Sequence, residues 1–375
     1  MSGYVGRLAP SPTGALHLGN ARTFMVAWLR ARSQGGKIIF RMEDLDHPKD
    51  KPGAAVQAVE DLKWLGFDWD EEYVQSERKH IYRQALESLR NQTIRQSDNR
   101  TIPLIYPCVC SRKDVESAQS APHAGEQLYY PGTCRDRFKS WAAAFSFLNK
   151  HRDTETQREE GNALCLCDSV LKKSSRLPCW RFRVPGNSVV SFDDAFAGHY
   201  EQDVSRTLGD FPLARDEFGA GYTLACAGDD LLVGVTEVVR GDDLLAATPA
   251  QILLVRELTK WFKHRDTYPP SEASCEAGAM RGETRREDGN ALCLCDSVLT
   301  YCHVPLVVGK DGKRLAKRHG DTRIASCREA GKTPEELIGF LAASCGWAAK
   351  GERVSLAELV PRCDLGTIPH SPFMI

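Results

Sequence analysis

Arg7-Leu8-Ala9-Pro10-Ser11-Pro12-Thr13-Gly14-Ala15-Leu16-His17-Leu18-Gly19-Asn20-Ala21-Arg22 is the stretch on which the reading of this chain turns. Residues 4–9 read as a short apolar strand, the Pro- and Gly-rich run after them as a tight turn, and His17 with Gly19 as the opening of a helix. That order of elements aims backbone N–H groups and the positive end of a helix dipole at an anion. Near the other end, Lys313-Arg314-Leu315-Ala316-Lys317-Arg318 lies between Gly312 and Gly320. It reads either as a solvated basic turn or as a basic loop that closes over the same anion.

Outward from the first stretch, strand and helix signals alternate. A helix over 18–32 stops at Gln34-Gly35-Gly36, and a second strand over 37–42 runs into the acids Glu43, Asp44 and Asp46. Pro52-Gly53 opens a helix to residue 65, and Ser76 caps another to residue 89. Such alternation predicts an α/β fold with a parallel sheet and ligands at the carboxyl ends of its strands, where Arg7, His17 and Glu43 fall. From about residue 106 the pattern changes to cysteines, turns and short strands at 180–184 and 188–192. The α/β pattern returns from 210, through apolar segments at 222–227 and 233–238 and a helix over 249–262. The last 60 residues are helical, with Thr333-Pro334-Glu335-Glu336 as a helix start.

At 375 residues, 42% hydrophobic and with a formal net charge of -1, the chain is an ordinary globular protein of two or three domains. Near-neutrality argues against indiscriminate nucleic-acid binding and leaves room for a local basic face. No apolar run approaches the ~20 residues of a membrane span. The first strand begins too early for a signal peptide, so a cytoplasmic, monomeric protein without a membrane partner is expected. Its 14 cysteines then favour reduced thiols, with a metal in any close cluster.

Cys108-Val109-Cys110 and Cys134 form such a cluster, supplying three thiolates for zinc. His123 and Tyr130 are the local candidates for a fourth ligand. A rival set, Cys165, Cys167, Cys293 and Cys295, belongs to a duplication: residues 155–171 recur as 283–299 with two of 17 positions changed. Near-identity in two copies suggests inserted sequence in surface loops, at about 140–176 and 263–300, with little fixed structure.

His17-Leu18-Gly19-Asn20 and residues 313–318, in this order, resemble the HIGH and KMSKS signatures of class I aminoacyl-tRNA synthetases. RLAPSPTG (7–14) and RMEDLD (41–46) resemble the glutamyl branch of that class, as does Val235-Thr236-Glu237-Val238-Val239-Arg240-Gly241-Asp242-Asp243-Leu244. Within the branch, Cys108, Cys110, Tyr130 and Cys134 match the zinc pattern of the glutamyl-Q tRNA(Asp) synthetase subfamily. A chain that stops 58 residues after Lys317, without helical anticodon-reading domains, is similar to it too. Two positions depart from the signatures: Asn20 replaces a histidine and Ala316 a serine.

The resemblance implies a Rossmann-like nucleotide-binding domain in two halves, residues 1–105 and 206–310. A small zinc-containing α+β insertion, 106–205, splits it, and 311–375 carry the basic loop and a short helical module. It implies ATP, used with Mg2+, held by His17, Gly19, Lys313 and Lys317, with His17, Gly19, Asn20 and Lys317 catalytic. Glutamate would lie on Arg7, Leu8, Ala9, Pro10 and Ser11, with Glu43 on its ammonium, Tyr222 beside it, and Arg7 and Arg240 on its side-chain carboxylate. Read without the resemblance, Glu43 is a solvated strand end, Arg240 an ion-pair partner of Asp242 or Asp243, and Tyr222 a core aromatic. The implied reaction is tRNA-independent formation of glutamyl-adenylate, then transfer to queuosine in the anticodon stem-loop of tRNA(Asp). The alternatives are a truncated glutamyl-tRNA synthetase charging a 3′ end and an inert tRNA-binding homologue.

Overall fold

The computed structural model describes residues 3–45, 50–95, 99–118, 128–159, 177–265, 299–313, 315 and 322–375. Asp46, His123, Lys317 and residues 160–171 and 283–298 of the duplicated segments, with their four cysteines, lie outside the described residues.

The first half builds β1 (Val5–Leu8), α1 (Leu18–Ser33), β2 (Lys37–Met42), α2 (Ala54–Trp64), β3 (Glu71–Val74) and α3 (Lys79–Arg90). His17 caps α1, and Gly35, at φ 64°, turns the chain back into β2 after the helix ends. Ser76 caps no helix. It lies in a short 3-10 turn, where its amide and hydroxyl bind Asp44.

There follow β4 (Thr93–Arg95), β5 (Thr101–Pro103), β6 (Ile105–Cys108), α4 (Arg112–Ala118), α5 (Trp141–Glu159) and β7 (Cys179–Phe182). Next come β8 (Val189–Asp194), β9 (Gly198–Asp203), α6 (Val204–Thr207) and β10 (Phe211–Ala214). Strands β10, β7 and β6 form a small antiparallel sheet. Residues 141–159, expected within a structureless insertion, are helical. Ala144 is fully buried and Phe147 packs against the cysteine cluster, which gives the helix an apolar footing.

The second half supplies α7 (Tyr222–Leu232), β11 (Glu237–Gly241), α8 (Thr248–Arg265) and β12 (Thr300–Val304). The apolar segment at 222–227 opens a helix, because its buried residues extend without a break from Leu224 to Leu231 and are covered on all sides. β13 (Val307–Val308), α9 (Ile324–Glu329), α10 (Pro334–Ala343), α11 (Leu356–Leu359) and β14 (Phe373–Met374) complete the chain. Thr333 and Glu336 cap α10 reciprocally around Pro334, as the sequence predicts.

β1, β2 and β3 are parallel neighbours in that order, and β11 and β12 are parallel to each other. Thr236 joins the two sets: its amide donates to Val5 O at 2.9 Å and its hydroxyl accepts from the Val5 amide at 2.9 Å. The spatial order β3-β2-β1-β11-β12 reverses direction between β1 and β11, which is the switch point where open α/β sheets bind ligands. β8, expected in the insertion, instead meets β12 through Tyr301 and Asp194 and extends this sheet. One core joins α1, β1 and β2 with Leu337, Ile338 and Leu341 of α10.

Candidate active site

A cavity of about 390 Å³ opens at the carboxyl ends of β1 and β11, walled by Arg7, Ala9, Pro10, Ser11, His17, Gly19, Asn20, Glu43, Tyr222 and Arg240. A larger hollow of about 720 Å³ lies between α3 and α8, but its lysine, Lys260, is spent on Glu257. Charge therefore converges on the smaller cavity.

Strand geometry chooses the inward residues. Alternate side chains of β1 face opposite ways, so Arg7 and Ala9 reach the cavity while Leu8 is fully buried in the core and contributes no wall. Arg7 Nε lies 3.3 Å from Asp230 Oδ1 yet makes no hydrogen bond there. Asp230 is instead bound at 2.6 Å by Arg41 Nη1, and Arg41 Nη2 reaches Glu43 Oε1 at 2.9 Å. Glu43 is thus no solvated strand end; it is 6% exposed and also accepts from Cys226 Sγ at 3.2 Å.

Arg240 is 6% exposed, and among the described residues no carboxylate lies within ion-pair distance of it. Burial lowers its pKa, with Arg7 nearby working in the same direction. Asp242 and Asp243 are not its partners. Its Nε donates to His303 Nε2 at 3.0 Å and its Nη2 to Thr248 Oγ1 at 2.6 Å, both neutral acceptors. Two buried guanidinium groups therefore border one cavity, and only Arg7 has a described carboxylate, Asp230, within ion-pair distance. A buried guanidinium held by neutral acceptors alone is short of a counter-charge. Tyr222, far from being a core aromatic, is 44% exposed on the cavity wall at the first turn of α7.

At the other wall His17 Nδ1 accepts from the Gly19 amide at 3.1 Å and the Asn20 amide at 3.3 Å, while Asn20 Oδ1 accepts from the His17 amide at 3.2 Å. The helix start is capped by its own histidine, so these two amides do not await an anion. Gly19 leaves room for that ring: a Cβ there would stand 3.0 Å from His17 Cε1 and 3.1 Å from Nδ1.

The chain leaving the basic loop returns to this point. Thr322 O accepts from the Leu18 amide, and the Ile324 amide donates to Leu16 O, pairing His17 with Arg323. Lys313 is exposed on the turn after β13, away from the cavity wall.

The cysteine site gathers as the spacing predicts. Cys108, Cys110 and Cys134 offer sulfurs all within 4.8 Å of one another, Cys110 and Cys134 at 3.5 Å. The Tyr130 hydroxyl lies 3.3 Å from Cys108 Sγ and 3.7 Å from Cys110 Sγ. Sulfurs of a tetrahedral zinc stand ~3.8 Å apart, given Zn–S bonds of ~2.3 Å, so this donor set fits that metal. Arg181 donates to Cys108 Sγ at 3.2 Å and lies 3.8 Å from the Tyr130 ring centroid, a cation suited to an anionic metal site.

The sequence model of class I tRNA synthetases (E and Q), catalytic domain, matches residues 5–101 and 147–271. The chain belongs to this family. It is 38% identical to "Glutamyl-Q tRNA(Asp) synthetase" of Symbiobacterium thermophilum over 99% of this chain and 95% of that one. The same-named protein of Rhodopirellula baltica is 38% identical over 92% of this chain and 86% of its own. "Glutamate--tRNA ligase" of Hydrogenobaculum is 31% identical, with 98% of this chain covering 64% of that one. A glutamate tRNA ligase structure from Elizabethkingia meningosepticum, at 22% identity, matches the fold with a TM-score of 0.66 over 100% of this chain and 67% of that one. As a class I synthetase of this branch, the chain is a ligase of the glutamyl-Q tRNA(Asp) synthetase type.

Sequence reading passed over Arg41, Asp230, Asp194, His303 and Thr248, which set the charges and aim the arginines. The signal was present as charge in apolar surroundings: Asp229-Asp230 inside an apolar run and His303 inside β12. Such groups are kept when they have partners.

Proposed function

We propose that this synthetase activates glutamate with ATP in the absence of tRNA and transfers it to queuosine at the wobble position of tRNA(Asp). The observation that carries the reading is Arg240, a buried cation without a carboxylate partner among the described residues, beside the partly paired Arg7. A side-chain carboxylate from the substrate supplies the missing charge, and a guanidinium meets it with directional hydrogen bonds. Glu43, whose described hydrogen bonds both land on Oε1, offers Oε2 to the substrate ammonium. Tyr222 covers the bound amino acid, with Ala9, Pro10 and Ser11 beneath it.

The substrate's α-carboxylate oxygen attacks the α-phosphorus of ATP. The bond from that phosphorus to the bridging oxygen breaks, and pyrophosphate leaves with its Mg2+. His17 lies on the phosphate side of the cavity, and Lys317 supplies charge as the leaving group forms. Positioning and charge stabilisation carry such a step. The catalytic domain comprises 1–105, the strands β8 and β9, and the second half from α7 to residue 310, followed by the module 311–375. Cys108, Cys110, Cys134 and Tyr130 hold a zinc ion that fixes the insertion built on β6, β7 and β10 and takes no part in the chemistry. The protein works in the cytoplasm as a monomer.

Higher identity to the glutamyl-Q relatives, 38% against 31%, and coverage of 95% and 86% of their lengths against 64% of the glutamate--tRNA ligase, favour queuosine over a 3′ ribose. The first test is ATP–pyrophosphate exchange without tRNA, using glutamate, glutamine and aspartate. Exchange with glutamate alone is expected; none at all would identify an inert binder. The second compares labelled glutamate transfer to tRNA(Asp) with and without queuosine, and to the queuosine-free tRNA before and after periodate oxidation, which cleaves the cis-diol of the 3′ ribose and would equally cleave that of queuosine. Loss of transfer on oxidation of tRNA that lacks queuosine would overturn the acceptor assignment.

A further inference from the structure

Behind Arg240, on the side away from the cavity, lies a chain of buried polar groups drawn from four elements. Asp194 ends β8, His303 lies in β12, Thr248 opens α8, and Arg240 lies in β11. His303 is fully buried, with its Nδ1 2.6 Å from Asp194 Oδ2. Asp194 Oδ1 accepts the amides of His303 at 3.0 Å, Phe196 at 3.0 Å and Ala197 at 2.8 Å. A carboxylate so supplied is ionised and can only accept, so the proton between the two groups sits on His303 Nδ1. The opposite nitrogen is then a lone pair, and it faces Arg240 Nε–H at 3.0 Å. Thr248 Oγ1 completes the set, accepting from Arg240 Nη2 and donating to Leu244 O at 3.1 Å.

We propose that Asp194 and His303 form a positioning pair that aims Arg240 at the substrate's side-chain carboxylate. Asp194 fixes the tautomer, the tautomer presents an acceptor to Nε, and Nη1 is turned to the cavity. The inference rests on the reading of Arg240 as the glutamate-binding cation and adds to it the residues that decide its aim. Neither touches the cavity, so neither is a catalytic residue.

The arrangement works only with a neutral ring. Protonation would place a third N–H against the guanidinium, cation facing cation. The groups around the ring are the Asp194 carboxylate from β8, Arg240 from β11, Asp242 from the turn after β11, the neutral Thr248 of α8 and the stacked ring of Tyr301. Burial and Arg240 hold its pKa below the ordinary 6.5, outweighing Asp194 and Asp242. Aim is therefore kept above pH ~6.5 and lost as pH falls through the lower folded value.

The test uses the full chain in tRNA-free pyrophosphate exchange, comparing wild type, His303→Asn, His303→Gln and Asp194→Asn. Asparagine matches the Nδ1 side and removes the acceptor at Nε2; glutamine restores an acceptor near it. His303→Asn is expected to raise KM for glutamate about 30-fold, the loss expected for an unmet buried donor, with KM for ATP within about two-fold. His303→Gln is expected to recover most of this and to lose the acid limb of kcat/KM for glutamate. Asp194→Asn, judged alongside its melting curve, is expected to follow His303→Asn. Parallel rises in both KM values, or no rescue by glutamine, would overturn the pair. Nitrogen-15 NMR of the histidines at pH 7.5 decides the tautomer without activity: His303 must show a protonated Nδ1 and a bare Nε2, and the reverse overturns the proposal. If wild type shows no glutamate exchange, the reading of Arg240 fails, and the NMR result still settles the tautomer on which the pair depends.

Discussion

The cavity at the β1–β11 junction and the cysteine cluster at the end of β6 both gather groups suited to a charged guest, by opposite means. The cluster takes its four donors from 27 consecutive residues, 108–134, and meets positive charge with thiols. The cavity takes its groups from β1, β11 and β13, the end of β2 and helices α1 and α7, with partners as distant as Arg41 and Asp230, 189 positions apart. It confronts negative charge with two arginines, only one of which has a carboxylate nearby. The difference is one of tolerance. A local cluster survives whatever happens elsewhere in the sheet, whereas the cavity is correct only when the whole parallel sheet has its register.

The comparison breaks most sharply at Arg240. Arg240→Ala is expected to cut kcat/KM for glutamate in exchange by about 10³-fold or more, because truncating one half of a desolvated charge pair costs ~3–5 kcal/mol. If the loss is under ten-fold, the cavity does not use this cation. His17 comes next. His17→Asn keeps a good capping side chain and removes Nε2, so exchange should fall by about 10²–10³-fold with little change in melting temperature. His17→Ala should lose a further ~1 kcal/mol of stability in denaturant titration. Equal stability of the two variants would disprove the capping role.

At the cluster the order of effects should invert. Cys134→Ser is expected to lower the zinc measured by mass spectrometry to well under one per chain. It should also lower the melting temperature by several degrees, while glutamate-dependent exchange changes by less than about ten-fold. A collapse of exchange with the zinc would show the two regions to be coupled. The smallest effect belongs to Gly19→Ala, whose Cβ presses on the His17 ring. A few-fold rise in KM for ATP with KM for glutamate unchanged would place the nucleotide on that wall, and a change confined to glutamate would move it elsewhere.

What could be read in the sequence follows the same division. The cysteine pattern, the strand–turn–helix at His17 and the capped start of α10 are local, so spacing sufficed. β8 was assigned to the insertion because its pairing with β12 spans more than a hundred residues. Residues 222–227 were ambiguous because a short apolar run suits a buried helix as well as a strand. Arg7 and Arg240 were found through motifs, but the reason Arg240 needs a guest lies in His303 and Thr248, which no spacing connects to it. Leu8 was included with its neighbours; strand alternation turns it into the core.

The pairing of β13 with β14 bears on how this protein can be handled. Phe373 and Ile375 donate to Leu306 O and Val308 O at 2.9 and 3.0 Å, and Leu306 and Val307 line the cavity. Phe373 to Ile375 thus serve as scaffolding for a cavity wall 67 positions earlier in the sequence. Removing these residues would strip the hydrogen bonds that back that wall, so the cavity would loosen from behind although none of its lining had changed.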